Sequence, residues 1–267
     1  MCTLHLFFQV FPDEPVLFAA NRDEILDRAW RGPGDLSSVP RIWGPRDLVA
    51  GGTWLGVNEA GVLAGLANHE GTLRRDSASL CSRGAVVLET LRHGTTEEAY
   101  RFAQWAAPVC KAYTLLVADP DRAAVIDHGP DGTQTYRLLP GCHVITNARF
   151  RDPGDPKARR SLSRMETFAS RGHPPTEDEL AGFLSDHEPS APGQDPLCLH
   201  PPAGSRFGTS SASVIRVGSD RQVRRFLFSV GPPCHNPLQD LTPPWRPRSS
   251  SEGVEDAAAP GPNSRPR

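Results

Sequence analysis

Apolar residues along this chain fall in short runs separated by turn-forming residues, and in a few stretches they follow helical spacing instead. Two apolar runs open the chain, and Pro12-Asp13-Glu14 separates them, which predicts a β-hairpin. The strands predicted in this way cover residues 4–11, 15–20, 49–57, 61–67, 113–118, 123–127, 133–139, 143–146, 211–217 and 222–230. Helix-like spacing and capping residues predict helices over 82–93, 96–107, 157–170 and 176–185. The stretch with Gly32, Pro33, Gly34 and Pro40 is predicted to be a loop.

The order of these elements predicts the fold class. Strands, two helices, strands, two helices and strands follow one another, and the strands are joined mainly as hairpins. This order favours an α+β fold with largely antiparallel sheets, in which two packed sheets lie between two helix layers, a four-layer αββα sandwich. We predict one domain over residues 1–235. Residues 236–267 are rich in Pro, Ser and Ala, and we predict a disordered tail.

Composition excludes several classes of partner. The chain has 267 residues and a formal net charge of −2, so no nucleic-acid partner is predicted. No apolar run approaches the ~18 residues of a membrane span. The first residues carry no basic leader, so we expect no signal peptide and a cytoplasmic location.

The cysteines predict neither a disulfide scaffold nor a metal site. The six cysteines are widely spaced, and no two form a CxxC pair. The nine histidines show no metal-ligand spacing either. Apart from Cys2, we expect isolated thiols.

Cys2 is the first candidate for chemistry. The residue after Met1 is small, so we expect the initiator methionine to be removed, which leaves a free α-amino group beside the Cys2 thiol. An α-amine titrates near ~7.7–8.0 and can act as a general base for the adjacent nucleophile. The alternative is that Cys2 is a small apolar residue at the start of a buried strand.

Polar residues at the ends of strands support the first interpretation. The second strand ends in Asn21-Arg22-Asp23-Glu24, and in a hairpin this end lies beside the amino terminus. We expect Arg22 to lower the pKa of the thiol and Asp23 to orient the α-ammonium group. Asn68 and Asn147 also follow apolar strands, and their amides can donate to an oxyanion. The alternative is that these residues form ordinary exposed turns.

The most distinctive string is Gly51-Gly52-Thr53-Trp54-Leu55-Gly56, which has neither the P-loop nor the GxGxxG pattern. By itself it predicts a glycine-bent hairpin with Trp54 in the core. Together with Cys2, residues 20–24, Asn68 and the string Phe207-Gly208-Thr209-Ser210-Ser211, it resembles the NRDE family, also called the transport and Golgi organisation 2-like family. The resemblance covers roughly residues 2–230. It implies an amino-terminal nucleophile hydrolase-like αββα sandwich, and eukaryotic members are linked to haem trafficking and to lipid or acyl-CoA metabolism.

A more distant resemblance is to the cysteine amidases that cleave penicillin V and bile-salt amides. In the order of their catalytic pattern, this chain offers Cys2, Arg22, Asp23, Asn68 and Asn147. The pair Arg22-Asp23 differs from the Arg-x-x-Asp of the amidases. For the final Arg of their pattern, Arg206 and Arg216 are the candidates.

Two functions follow as hypotheses. The first is an amino-terminal cysteine hydrolase that acts on a linear amide or acyl group and needs no cofactor. The second is a carrier that holds haem or an acyl lipid in the same cleft, with Cys2, His5 or His69 as a ligand of the haem iron.

Overall fold

The computed structural model describes residues 2–69 and 80–245. The strands are β1 (Thr3–Phe11), β2 (Glu14–Ile25), β3 (Trp30–Ser38), β4 (Arg41–Asp47), β5 (Leu55–Asn58), β6 (Leu63–Asn68), β7 (Tyr113–Ala118), β8 (Ala123–Gly129), β9 (Gly132–Arg137), β10 (Gly141–Ile145), β11 (Phe207–Val217), β12 (Val223–Val230) and β13 (Gln239–Asp240). The helices are α1 (Arg83–Thr90), α2 (Thr96–Ala106), α3 (Pro156–Ala169) and α4 (Glu177–Leu184), and a 3-10 turn over Ala107–Val109 follows α2. None of the helices in these two ranges has the length and apolar character needed to cross a membrane.

The strands form two antiparallel sheets that pack face to face. The first has the order β10-β1-β2-β11-β12-β13, and the second runs β3 to β9 in chain order. One apolar core lies between the sheets and includes Phe18 and Leu116. A second core joins the β3–β9 sheet to α1 and α2, and a third joins the other sheet to α3 and α4. The αββα sandwich predicted from the sequence is confirmed.

The hairpin of β1 and β2 lies in the middle of its sheet and sets the position of Cys2. Its register pairs Thr3 with Asn21, so that Cys2 lies next to the end of β2. On its other side β2 pairs with β11, with Asp23 opposite Thr209. An irregularity in this pairing between Thr209 and Ser211 adds one residue to β11 at this level. The strand register thus brings Cys2, Asp23 and Thr209 together.

The predicted loop with Gly32, Pro33, Gly34 and Pro40 is instead part of a hairpin, formed by β3 and β4. Its residues are mostly half-buried or exposed, so they lack the apolar alternation that marks a strand. β3 lies at the edge of its sheet, where a proline does not interrupt a ladder of hydrogen bonds on both sides. The pairing of β3 with β4 also shifts register between Arg31 and Gly34, which accommodates Pro33.

Two of the five cysteines expected to be isolated are bonded to each other. Cys81 and Cys110 form a disulfide that joins the segment before α1 to the segment after the 3-10 turn. The two residues also form an isolated parallel β-bridge, so the backbone itself brings them together. The prediction of isolated thiols is therefore wrong for this pair.

The predicted cytoplasmic location stays a prediction.

The segment predicted to begin the tail packs against the domain as far as the structure describes it. β13 pairs with β12, and the Trp43 indole Nε1 donates to the Leu241 carbonyl oxygen at 2.9 Å. Trp245 packs against the core between the sheets. Residues 246–267 lie outside the described residues, so the disorder predicted for them stays a prediction.

His5 gives the fold a specific acid sensitivity. Its ring is buried, Nδ1 lies 3.1 Å from the Ala19 carbonyl oxygen, and the ring meets Phe183 edge-on. Burial lowers the pKa of His5 to about 3, although the Ala19 carbonyl acts against this shift. The folded state therefore holds His5 neutral, whereas the unfolded chain protonates it below its usual pKa of 6.5. The stability that this difference contributes is present above pH 6.5 and is lost as the pH falls towards 3.

We expect His5→Asn to reduce the loss of stability in acid. Asparagine can still donate to the Ala19 carbonyl but does not ionise. Between about pH 7 and about pH 4.5, the wild-type free energy of unfolding should fall by about 2–3 kcal/mol more than that of His5→Asn. Urea denaturation at the two pH values measures this, with the exposed residue His173→Asn as the control. Equal losses in wild type and His5→Asn would contradict the buried neutral histidine.

Candidate active site

A cavity of about 600 Å³ opens where the ends of the two sheets meet, and it contains all five residues predicted from the sequence. Its lining includes Cys2, Arg22, Asp23, Glu24, Ile25, Arg28, Asp47, Trp54, Leu66, Asn68, His69, Arg83, Lys111, Asn147 and Phe207. The first sheet supplies Cys2 and Asp23, and the second sheet supplies Asn68. The volume lies within the range of ~300–1,000 Å³ found for pockets that bind small molecules.

The Cys2 thiol is half-buried and lies against the backbone of β2. Its Sγ is 3.9 Å from the Asp23 carbonyl oxygen, to which it donates. Burial raises the pKa of the Cys2 thiol, and the positive charges of the amino terminus and of Arg22 only partly offset this effect. Arg22 acts in the predicted direction, but burial outweighs it, so the pKa of the thiol is raised and not lowered. A thiol in this state is neutral at rest and needs a base to become a nucleophile.

Arg22 is held in a fixed orientation between the sheets. Its guanidinium carbon lies 4.1 Å from the centre of the Trp54 ring. Nη1 donates to Ser210 Oγ at 2.8 Å, and Nη2 lies 3.3 Å from Glu24 Oε2. These contacts fix a buried positive charge beside the thiol.

The Asp23 carboxyl is buried, and β11 supports it. The Thr209 hydroxyl donates to Asp23 Oδ1 at 2.7 Å. Burial raises the pKa of Asp23, and the amino-terminal ammonium group and the Thr209 hydrogen bond offset this rise only in part. A positively charged amine next to Asp23 therefore stabilises the carboxylate form.

Asn68 and Asn147 come from different sheets and meet at the cavity wall. Asn68 ends β6, and Asn147 lies two residues after β10. The Asn147 side-chain amide donates to the Asn68 carbonyl oxygen. An amide nitrogen carries two hydrogens, so this contact orients the group and leaves its second N–H for another acceptor.

Three residues considered from the sequence do not reach the cavity. Asn21 points to the outer face of the sheet. Its amide donates there to the carbonyl oxygens of Leu184, the last residue of α4, at 2.8 Å and of Leu197 at 2.7 Å. Arg206 forms an ion pair with Asp27, and Arg216 forms one with Glu14. Neither candidate for the last arginine of the amidase pattern lines the cavity.

The glycine-rich string places Trp54 under Arg22. A Cβ atom on Gly52 would lie 2.3 Å from the backbone of Gly84, so only glycine allows this approach to the start of α1. The Thr53 hydroxyl lies 2.6 Å from the Pro45 carbonyl oxygen and 2.7 Å from that of Leu55, and its single hydrogen can be donated to either. The string that predicted a hairpin thus forms part of the cavity wall.

Sequence reasoning missed the role of the Phe207–Ser211 string in the site. Thr209 supports Asp23, and Ser210 supports Arg22. The signal was present, since this run of small hydroxyl residues was singled out, but only the pairing of β11 with β2 assigns each hydroxyl a partner.

Comparisons with known proteins agree with this fold. A family model described as Transport and Golgi organisation 2 matches residues 1–226. The C2A mutant of conjugated bile acid hydrolase from Clostridium perfringens is similar in fold, with a TM-score of 0.58 and 8% identity over 91% of this chain and 92% of that chain. The Caenorhabditis elegans orthologue of N-acylethanolamine-hydrolyzing acid amidase has a TM-score of 0.53 and 13% identity over 80% of this chain and 92% of that chain. No curated protein sequence matches the chain. At these identities the likeness shows the amino-terminal nucleophile hydrolase fold.

Proposed function

Because the chain belongs to the Transport and Golgi organisation 2 family and has the sandwich fold of amino-terminal nucleophile hydrolases, we propose that it is an amino-terminal cysteine hydrolase of linear amide or acyl substrates. The observation that carries the proposal is the meeting of the Cys2 thiol, the Asp23 carboxyl and the Asn147 amide in one cavity.

The reaction begins with removal of Met1, which exposes the α-amine of Cys2. The neutral amine accepts the proton of the Cys2 thiol as Sγ attacks the substrate carbonyl carbon. The tetrahedral intermediate collapses to a thioester, and the resulting ammonium gives its proton to the leaving amine or thiol. Water, deprotonated by the same α-amine, then cleaves the thioester and restores the Cys2 thiol. Burial raises the pKa of the Cys2 thiol, so the scheme assigns its proton to a base directly beside it, the α-amine.

The surrounding residues have separate roles in this proposal. Asp23 holds the α-ammonium that forms during attack, and Thr209 keeps the carboxylate in place. Arg22 stabilises negative charge on sulfur as it develops. Asn147, through its second N–H, and Asn68 stabilise the oxyanion. These amides therefore act where negative charge appears in the transition state.

The cavity favours a substrate with an apolar acyl group and a polar head. Ile25, Trp54 and Leu66 give it an apolar side, while charged side chains of both signs, among them Glu24, Asp47 and Arg28, line the rest of its wall. The structural neighbours include hydrolases of conjugated bile acids and of N-acylethanolamines, so these compounds belong in a substrate panel.

The carrier hypothesis gains less support from the residues it needs. His5 packs against Phe183, outside the cavity, and so cannot ligate haem there. His69 lines the cavity, but its Nε2 lies 3.6 Å from Asp127 Oδ1. This nitrogen of His69 therefore already has a carboxylate beside it.

Intact-mass spectrometry tests the proposed function. The purified protein should lack Met1. After incubation with a panel of N-acyl amino acids, N-acylethanolamines, conjugated bile acids and acyl thioesters, it should gain the mass of one acyl group, which peptide mapping places on Cys2. A protein that retains Met1 and forms no adduct with any of these donors would contradict the proposal.

A further inference from the structure

Four potential metal ligands meet outside the cavity, near the start of β11 and the end of β12. His187 follows α4, Cys198 and His200 lie in the segment before β11, and Cys234 lies in the turn after β12. Their nearest ligand atoms all lie within 4.8 Å of one another. We propose that these four side chains, two cysteines and two histidines, form a site for a zinc ion.

Three of the distances between the ligand atoms are close to those around a tetrahedral zinc. Cys198 Sγ and Cys234 Sγ are 3.5 Å apart, Cys234 Sγ and His200 Nε2 are 3.2 Å apart, and His187 Nε2 and His200 Nε2 are 3.1 Å apart. Bond lengths of ~2.3 Å to sulfur and ~2.0–2.1 Å to nitrogen give tetrahedral edges of roughly 3.8, 3.5 and 3.3 Å for these three kinds of pair. These three pairs need to move apart by only a few tenths of an ångström to bind the ion, and the other pairs lie within 4.8 Å, from where small changes of rotamer bring them to a tetrahedral edge.

Other pairings account for this arrangement less well. A disulfide needs sulfur atoms ~2.05 Å apart, so Cys198 and Cys234 are not bonded to each other. Two thiols and two imidazoles have few good hydrogen bonds to exchange, because the thiol is a weak donor and a weak acceptor. Zinc uses all four groups at once, and sulfur and imidazole are the ligands it prefers in structural sites.

Hydrogen bonds hold the backbone of the ligand segments in place without the metal. The Cys198 N–H donates to the Asp186 carbonyl oxygen at 2.9 Å. Leu199 and Thr209 exchange two hydrogen bonds, each of 2.8 Å. In the turn that carries Cys234, the Gly231 N–H donates to the Ser210 carbonyl oxygen at 3.0 Å. Cys198 is buried and both histidines are exposed, so the site has a buried sulfur side and a side open to solvent for metal entry.

The site is structural in this proposal. Four protein ligands complete a tetrahedron and leave no open position for a substrate or water. The ion would tie the segment before β11 and the turn after β12 to the same end of β11. Thr209 lies at that end and supports Asp23 through its hydroxyl. Zinc binding therefore stabilises the wall of the active cavity without taking part in its chemistry.

Metal analysis of the full chain, purified with a reductant and without chelator, tests the site. We expect about one zinc per chain by elemental mass spectrometry. Cobalt(II) added to the metal-free protein should give the visible bands of tetrahedral, thiolate-bound cobalt. Cys234 lies in a turn, and the Cys234→Ser variant should contain at least tenfold less zinc per chain than the wild type. Cys142 is a half-buried thiol on β10, and the Cys142→Ser variant should keep the zinc content of the wild type.

A competition assay keeps the test independent of folding and of hydrolysis. Wild-type protein with a chromogenic chelator should exchange zinc reversibly, and the free protein should show a lower melting temperature than the zinc-bound protein. Absence of zinc and of the cobalt bands in reduced wild-type protein would overturn the proposal. A Cys198–Cys234 disulfide found by peptide mapping under the same reducing conditions would also overturn it. Neither result bears on the acyl adduct expected at Cys2.

Discussion

Replacing Cys2 by alanine is expected to lower kcat for the best substrate of the panel by roughly 10³-fold or more, because the thiol is the nucleophile that attacks the substrate carbonyl carbon. The acyl adduct should disappear in the same variant. The substitution removes one sulfur atom from a half-buried position, so the free energy of unfolding should change by only about 1 kcal/mol. Single-turnover assays and thermal unfolding of the same preparation separate the two effects.

Cys142→Ala is the matched control for this experiment. Cys142 is also a half-buried thiol near the start of a strand in the same sheet, but it packs against the core next to α3 and α4. Its loss should leave kcat within a factor of about two. Equal activity of Cys2→Ala and wild type would show that another group carries the chemistry.

Asp23→Asn is expected to lower kcat by roughly 10²–10⁴-fold, because a neutral amide cannot hold the α-ammonium that forms during attack. The amide oxygen can still accept the hydrogen bond from Thr209, so the local structure is retained. The carboxylate also favours the charged form of the amine. Its removal should therefore lower the pKa of the amine and move the acidic limb of the kcat/KM profile to lower pH.

The shift of the pH profile distinguishes this role from a merely structural one. Asp119→Asn provides the control, because Asp119 is an equally buried carboxyl that accepts N–H bonds from Thr96, Asp121 and Arg122 away from the cavity. That variant should lose stability but keep the pH profile of the wild type. An unchanged acidic limb in Asp23→Asn would remove Asp23 from the proton transfer.

The elements with strong burial patterns were predictable from the sequence. β7 was predicted over 113–118, and all six of its residues are buried. α4 begins at the capping box of Thr176 and Glu179, which the sequence shows directly. β3 was missed because its stability comes from pairing with β4 at a sheet edge and not from an apolar face of its own.

The candidate site was predictable only in part, for a reason of geometry. The hairpin of β1 and β2 made it clear that Cys2 meets the end of β2. The direction in which each side chain points could not be predicted from the hairpin. Asn21 turns to the outer face, while Arg22 and Asp23 line the cavity beside an irregularity in β11. The cysteine and histidine cluster was also out of reach, because its ligands come from three separate segments with no common spacing.

The central position of β1 has a practical consequence for any recombinant form of this protein. Cys2 lines the cavity and Thr3 already belongs to a strand with neighbours on both sides, so any residue joined to the nitrogen of Cys2 starts at the cavity. An uncleaved affinity tag at this end would lie in the mouth of the cavity and act as a tethered inhibitor, while it also capped the α-amine. Preparations for activity measurements therefore need the tag at the opposite end, or a protease that leaves cysteine as the first residue.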